Sequence, residues 1–132
     1  MLVVVINLKK DNMDTKHYTS IEQSKKLLEL GLSPESADAF YMIGDEPVDI
    51  CVIYGFVTHQ HLKEQMAYKR AVPCWSLAAL LGVLPNGIVM NKDSQSGRYH
   101  FSSTHVGMYV TADNPLDACV DMIIKLHELN LL

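Results

Sequence analysis

The sequence has no apolar run long enough to cross a membrane. A transmembrane helix needs about 20 predominantly apolar residues, whereas the longest apolar run here extends only from Leu77 to Leu84. The opening run from Met1 to Ile6 is apolar, but no basic region precedes it and no small-residue cleavage site follows it. We therefore expect no membrane partner and no secretory signal peptide, and we interpret the opening run as a β-strand.

Cysteine and positive charge are both scarce. The chain has 3 cysteines, an odd number without a CxxC pair, which is typical of reduced thiols in a cytoplasm rather than of a secreted disulfide framework. Its 11 basic and 15 acidic residues leave a formal charge of -4, so the chain lacks the positive field that attracts phosphate backbones. These shortages predict a cytoplasmic protein for which nucleic acid is an unfavoured partner.

Motifs that hold nucleotides, metals or an activated serine are also missing. The sequence contains neither GxGxxG nor GxxxxGKS/T, and neither HExxH nor CxxC. Ser76 and Ser102 do not lie in the GxSxG setting of a nucleophile elbow. We therefore predict no cofactor and assign no residue as catalytic, cofactor-binding or metal-binding.

The composition that remains is that of one soluble folded domain over residues 1–132. The 132 residues are 48% hydrophobic and 20% charged, which excludes a disordered chain, and no internal repeat is present. By the scaling of surface with mass, folding would bury roughly two-thirds of the surface of the unfolded chain. A sizeable core is therefore expected.

Helix-start patterns begin soon after the first lysine-rich stretch. Ser20 with Gln23 predicts a capping box, and Gly31 suits a left-handed C-terminal residue, so we predict a helix over about 21–30. A serine-proline pair then predicts a short second helix over about 34–39.

The segment after this second helix is the least determined by its sequence. Residues 40–43 are apolar and fit either an extension of the helix or a strand, and periodicity alone does not decide between them. Residues 50–58 are rich in β-branched and aromatic side chains and predict a strand. Residues 59–70 are polar and fit an exposed excursion or a partner-facing segment, so the path of residues 44–72 is left open.

Two further helices are predicted in the second half. Ser76 is a suitable N-cap for an apolar helix that Pro85 must end, and Trp75 and Leu80 are spaced to pin its entrance. Asn114 followed by proline opens the last helix. The apolar stripe of that helix is Leu116, Cys119, Val120, Ile123, Ile124 and His127.

Three short strand candidates lie between these helices, over 87–91, 98–102 and 106–111. Short polar turns join them, which predicts an antiparallel meander. Together the elements predict an α+β fold, with an antiparallel sheet of three to five strands and three or four helices packed on one side in two layers.

Three blocks of the sequence have the pattern of a known group of proteins. They are Thr19-Ser20-Ile21-Glu22-Gln23-Ser24 with its continuation to Asp38, Pro73-Cys74-Trp75-Ser76-Leu77-Ala78-Ala79-Leu80-Leu81, and Leu116-Asp117-Ala118-Cys119 with Met122 and Leu126. In these blocks the chain resembles a family of small uncharacterised proteins from gut bacterial genomes and their prophages or other mobile elements. The resemblance implies a mobile-element origin and a shared architecture, and it implies no activity or site residue.

Cys74 is the strongest candidate for a catalytic nucleophile in the sequence. A thiol at a helix N-terminus gains from the positive end of the helix dipole, and His100 or His105 would serve as its base. If Ser76 caps the helix, however, Cys74 lies outside the first turn and is better interpreted as a small buried side chain. Cys51 and Cys119 occupy apolar periodic positions and are predicted to be core residues.

Histidines suggest a metal site without defining one. His59 and His61 would share one face of a strand, and the meander adds His100 and His105. Glu64 or Asp49 would have to complete the site, but no spacing in the sequence imposes that geometry. We interpret these histidines as solvent-exposed.

The sequence has one basic patch that contains aromatic residues, and an acidic residue interrupts it. It comprises Lys63, Lys69 and Arg70 with Tyr68 and the neighbouring histidines, interrupted by Glu64. A solvated face is the expected role of this patch, and binding of a nucleic-acid strand is a weaker hypothesis.

The favoured hypothesis is therefore a non-catalytic interaction or regulatory module of a mobile element. It would bind another protein through an exposed sheet edge or through residues 57–72, and the mean hydropathy of +0.07 is compatible with a homodimer. The alternative is a small cysteine-dependent hydrolase or transferase that uses Cys74.

Overall fold

A computed structural model describes residues 4–7, 17–42, 50–53 and 71–132. Within these ranges the helices are α1 (Ile21–Glu29), α2 (Leu77–Val83) and α3 (Pro115–Glu128), with a short 3-10 helix at Pro34–Ser36. The strands are β1 (Val4–Asn7), β2 (Ala39–Met42), β3 (Ile50–Ile53), β4 (Ala71–Cys74), β5 (Ile88–Lys92), β6 (Tyr99–Ser103) and β7 (Tyr109–Ala112). The predicted α+β class is confirmed.

The strands divide between two antiparallel sheets. The first has the order β1-β3-β2-β4 and the second the order β5-β6-β7. A single sheet was expected; helix α2 and the Pro85 turn instead separate β4 from β5 along the chain. The predicted arrangement in two layers stays a prediction.

Strand β2 settles the segment that the sequence left open. The helix expected over 34–39 exists only as the 3-10 helix, because Ala37 already has an extended backbone with φ -76° and ψ 150°. Residues 39–42 then pair on one side with β3 and on the other with β4. Of the strand expected over 50–58, residues 54–58 lie outside the described part of the chain.

The predicted meander is confirmed as β5, β6 and β7. The last strand begins at Tyr109 instead of 106, since residues 104–106 form a turn. Ser103 Oγ organises this turn by accepting hydrogen bonds from the backbone N–H groups of His105 and Val106, each at 3.3 Å.

The helix caps follow the sequence closely. Ser20 and Gln23 form the predicted capping box, and Gly31 has the positive φ of 101° that a left-handed residue requires. Ser76 caps α2 by accepting from the N–H of Ala79 at 3.2 Å, and Asn114 caps α3 through the N–H of Asp117 at 2.8 Å.

Helix α3 supplies the centre of the main core. It packs against β6, β7 and α2, so its buried face is wider than one stripe. Its buried residues are Leu116, Ala118, Cys119, Val120, Met122, Ile123 and Leu126. Trp75 and Leu80 are fully buried in the same cluster, which confirms the predicted packing role of Trp75. Among the described helices, none combines the length and the apolar character that a membrane crossing requires.

Candidate functional site

Cys74 is the last residue of β4 and has an exposed fraction of 0%. Because α2 is capped by Ser76, Cys74 lies outside the first helical turn, and its thiol packs in a small cluster with Ala39 and Tyr41. His100 and His105 belong to β6 and the turn after it, in the second sheet. The structure therefore gives Cys74 a packing environment and does not open it to a substrate.

Cys119 is buried in the core, as the sequence predicts. Burial raises the pKa of its thiol to about 12, since the thiolate would lose its hydration there. At neutral pH this cysteine is a protonated apolar side chain. The side chain of Cys51 lies outside the described part of the structure, so its predicted core role stays a prediction.

The other candidates from the sequence fall largely in residues 54–70, which the structure does not describe. These are His59, His61, Glu64, Lys63, Tyr68, Lys69 and Arg70, and Asp49 lies in the separate undescribed range 43–49. In residues 4–7, 17–42, 50–53 and 71–132, no three His, Cys, Asp or Glu side chains are grouped so that they could hold a metal ion.

A buried polar cluster surrounds the entrance of α2. The N–H of Trp75 donates to Thr19 Oγ1 at 3.0 Å, and this hydroxyl also shares a hydrogen bond of 2.8 Å with Ser24 Oγ. Tyr41 donates its hydroxyl proton to the Thr19 carbonyl at 2.6 Å. These groups satisfy one another inside the core, so the cluster is structural.

Two further contacts fix the same junction from outside. Trp75 Nε1 donates to Ser36 Oγ at 2.9 Å. The Asp38 carboxylate accepts from both the N–H and the hydroxyl of Ser76, which orients the cap of α2. The junction joins segments that are far apart in the sequence.

A small pocket lies where β5 begins. Its volume is about 140 Å³, and it is lined by Pro85, Asn86, Ile88, Ser103, His105, Val106, Leu126 and Leu131. This is close to the roughly 150 Å³ of an engineered apolar cavity that accepts benzene. The pocket is therefore of a size to accept one apolar side chain, and its lining offers neither a carboxylate nor a cysteine for catalysis.

The most distinctive surface is the free side of β5, which we call the β5 edge. Asp93 N–H donates to the Arg98 carbonyl at 2.8 Å, and the register of β5 on β6 is continuous. Since main-chain groups in an antiparallel pair alternate in direction, Ile88, Met90 and Lys92 direct their N–H and C=O groups away from β6. No other described strand pairs with this edge.

The side chains of β5 are unusually open for an apolar strand. Val89 and Met90 have exposed fractions of 48% and 47%, and they point to opposite faces of the sheet. Asn91 and Lys92 are also exposed, and Lys92 Nζ lies 5.2 Å from the centre of the Tyr99 ring. Exposed apolar side chains beside free main-chain groups are the features to which an additional strand binds.

The outer face of the second sheet carries an aromatic pair. The ring centres of His100 and Tyr109 are 6.2 Å apart, and Tyr109 has an exposed fraction of 66%. His100 therefore lies beside an aromatic ring on an open sheet face, whereas Cys74 lies in a strand of the first sheet.

Sequence reasoning predicted an exposed sheet edge without saying which one. The meander pattern places β5 and β7 at the two edges, but only the folded structure shows that Val89 and Met90 are both about half exposed. The pattern that could have indicated this is two adjacent apolar residues in a strand that has no amphipathic alternation.

No protein-family model matches the chain, and no curated protein or solved structure is significantly similar to it.

Proposed function

We propose that this chain is a non-catalytic interaction module that binds another protein at the β5 edge. The partner would add an extended strand to β5, alongside Ile88, Met90 and Lys92. The observation that carries the proposal is that four of the five residues of β5 are exposed while its outward main-chain groups have no described strand beside them.

Strand addition suits this edge for two reasons. The partner's backbone would pair with main-chain groups that no described strand occupies, and each hydrogen bond would contribute about 1 kcal/mol net. The partner would also cover Val89 and Met90, which are about half exposed, and burying apolar surface is the general driving force of association.

The pocket beside the start of β5 adds a means of selection. Pro85 and Ile88 form part of its lining, so a partner chain that approaches the edge also reaches the pocket. A single apolar side chain of the partner would fill it. An anchor of this type, seated in an apolar pocket, is a common source of binding energy at interfaces.

The burial of Cys74 supports a packing role for this thiol over a nucleophilic one. The scarcity of cysteine and the absence of a disulfide between the described cysteines support a cytoplasmic location. The mobile-element origin rests only on the resemblance of the three sequence blocks.

The experiment is capture of proteins from a bacterial lysate on immobilised chain, followed by identification by mass spectrometry. Wild type is compared with Met90→Pro, which removes an outward N–H without breaking the pairing of β5 with β6. Met90→Leu is the matched control, because it keeps both the N–H and the apolar side chain. Circular dichroism verifies that the variants are folded.

We expect at least one protein to bind wild type and Met90→Leu but not Met90→Pro. Adding that purified protein should then slow hydrogen exchange at the amides of Ile88, Met90 and Lys92. Capture that is indifferent to Met90→Pro, or an absence of any captured protein, would contradict the proposal.

A further inference from the structure

We infer that the β5 edge also pairs with the β5 edge of a second copy of this chain, antiparallel, with Met90 opposite Met90 of the second copy. The inference rests on the proposed function, because it uses the same surface and names a second occupant for it. A different protein that binds this edge would then compete with the second copy.

The register follows from the direction of the main-chain groups. The residues with outward N–H and C=O groups are Ile88, Met90 and Lys92, so the middle one is also the middle residue of β5. Around a two-fold axis at Met90, Ile88 lies opposite Lys92 of the second copy. Every outward N–H and C=O of both strands then has a partner.

The two neighbouring registers leave some outward main-chain groups without a hydrogen-bond partner. Moving the axis to Val89 or to Asn91 leaves one outward residue of each strand without a partner inside β5. Gly87, with φ of 89°, ends the extended conformation on one side, so the strand does not continue to compensate. The register centred on Met90 is therefore the one that this edge favours over both alternatives.

Charge and side chains are compatible with this register. Lys92 is the only charged residue of β5 and lies at its end, where it would face Ile88 and not a second lysine. The centre of the strand has neither proline nor a charged side chain, the devices that usually prevent pairing between edges. Met90 of each copy would cover the other on the same face of a continuous sheet.

The expected association is weak. A pair of five-residue strands buries far less than the roughly 1,600 Å² of a standard stable interface. We therefore expect a monomer at low micromolar concentration and a growing dimer fraction toward about 1 mM.

The first test is sedimentation equilibrium of the full chain over this concentration range. Wild type and Met90→Leu should show the same increase of average mass with concentration. Met90→Pro should weaken dimerisation about tenfold or more, since the axis loses its N–H donors on both strands. A wild-type chain that stays monomeric to 1 mM would overturn the inference.

The second test reports the register directly, by mild oxidation of variants that each carry one added cysteine, at high concentration. In the expected register, the Cα atoms of residue 90 are about 5.5 Å apart, which a disulfide spans. Those of residues 89 or 91 are about 8 Å from their own copies, which is too far. Met90→Cys should therefore form a covalent dimer fastest, ahead of Val89→Cys, Asn91→Cys and wild type.

Faster dimer formation by Val89→Cys or Asn91→Cys, or no gain of Met90→Cys over wild type, would overturn the inference. Its failure is distinguishable from failure of the proposed function. A monomeric wild type that still captures another protein in a Met90-dependent way removes only the second copy as an occupant. A β5-dependent dimer whose captured proteins ignore Met90→Pro removes only the proposed function.

Discussion

Thr19 and Trp75 are joined by two hydrogen bonds across a gap of 56 residues in the sequence. The Thr19 N–H donates to the Trp75 carbonyl at 2.9 Å, and the Trp75 N–H donates to the Thr19 hydroxyl at 3.0 Å. This exchange holds the start of α1 against the entrance of α2, and Thr19 is fully buried there.

Removing the Thr19 hydroxyl should therefore lower the stability of the folded protein. Thr19→Val keeps the shape of the side chain but leaves the buried N–H of Trp75 without an acceptor, so the free energy of unfolding should fall by about 1–3 kcal/mol. Urea denaturation measures this. Thr104→Val is the matched control, because its hydroxyl bonds to the Gly87 carbonyl at an exposed site where water replaces it. Equal losses in the two variants would refute the expectation.

Asp38 should contribute more to stability than an exposed aspartate in an ion pair. Its carboxylate accepts two hydrogen bonds from Ser76, the cap of α2. Asp38→Ala should destabilise the protein by about 1–3 kcal/mol. The comparison is Asp113→Ala, which removes an ion pair with Arg98 at 2.7 Å from a side chain that is 86% exposed and should cost less than about 1 kcal/mol. Thermal or urea unfolding of both variants decides the order.

Replacing either of two glycines by alanine should change the free energy of unfolding, in opposite directions. Gly87 has φ of 89°, and a Cβ there would lie 2.6 Å from Cδ2 of His105, so Gly87→Ala should destabilise by about 1–2 kcal/mol. Gly82 lies in α2 with no atom within 4 Å of the added Cβ, so Gly82→Ala should stabilise by about 0.5–1 kcal/mol. Midpoints of urea unfolding should move in opposite directions, and a shared direction would count against this assignment.

Cys119 should make stability fall as the solution becomes alkaline. Its pKa is about 12 in the folded protein against a usual 9.0, so between these values the unfolded chain binds fewer protons than the folded one. Stability from this group is complete below about pH 9 and is lost by up to about 1.4 kcal/mol per pH unit as the pH rises toward 12.

The measurement is urea unfolding of wild type and Cys119→Ala under reducing conditions from pH 7 to pH 10.5. The advantage of wild type over Cys119→Ala should be constant at low pH and narrow above about pH 9. An advantage that does not change with pH would show that the thiol ionises equally in both states.

The local parts of this fold could be predicted because their causes are local. Ser20 with Gln23, Ser76, and Asn114 satisfy helix-end N–H groups within a few residues of themselves, so the sequence determines where these helices start. The same holds for the three strands of the meander, since short turns connect them.

What escaped prediction depends on contacts between distant segments. Phe40 lies in a strand because residues 39–42 pair with β3 and β4, and no pattern near residue 40 records those neighbours. The hydroxyl of Thr19 and the carboxylate of Asp38 look like ordinary surface groups in the sequence. Their roles appear only when Trp75 is brought beside them.

For the candidate site, the edge position of β5 could be predicted from the sequence, but the exposure of its side chains could not. The order of the meander determines that β5 is an edge strand, but the exposure of Met90 depends on where α3 packs, which is against β6 and β7. Val89 is exposed because it points to the opposite face of the sheet. The buried state of Cys74 likewise depends on strand pairing and not on its position before α2.

The central position of α3 has a consequence for synthesis of the protein. This helix follows every other described element in the sequence, yet it supplies seven buried residues to the core. A ribosome must therefore deliver the second sheet and the two earlier helices before the helix that packs against them has emerged. We expect nascent chains that stop before residue 115 to be substrates for chaperones and proteases, and completion of the core to be a late event in the life of each new molecule.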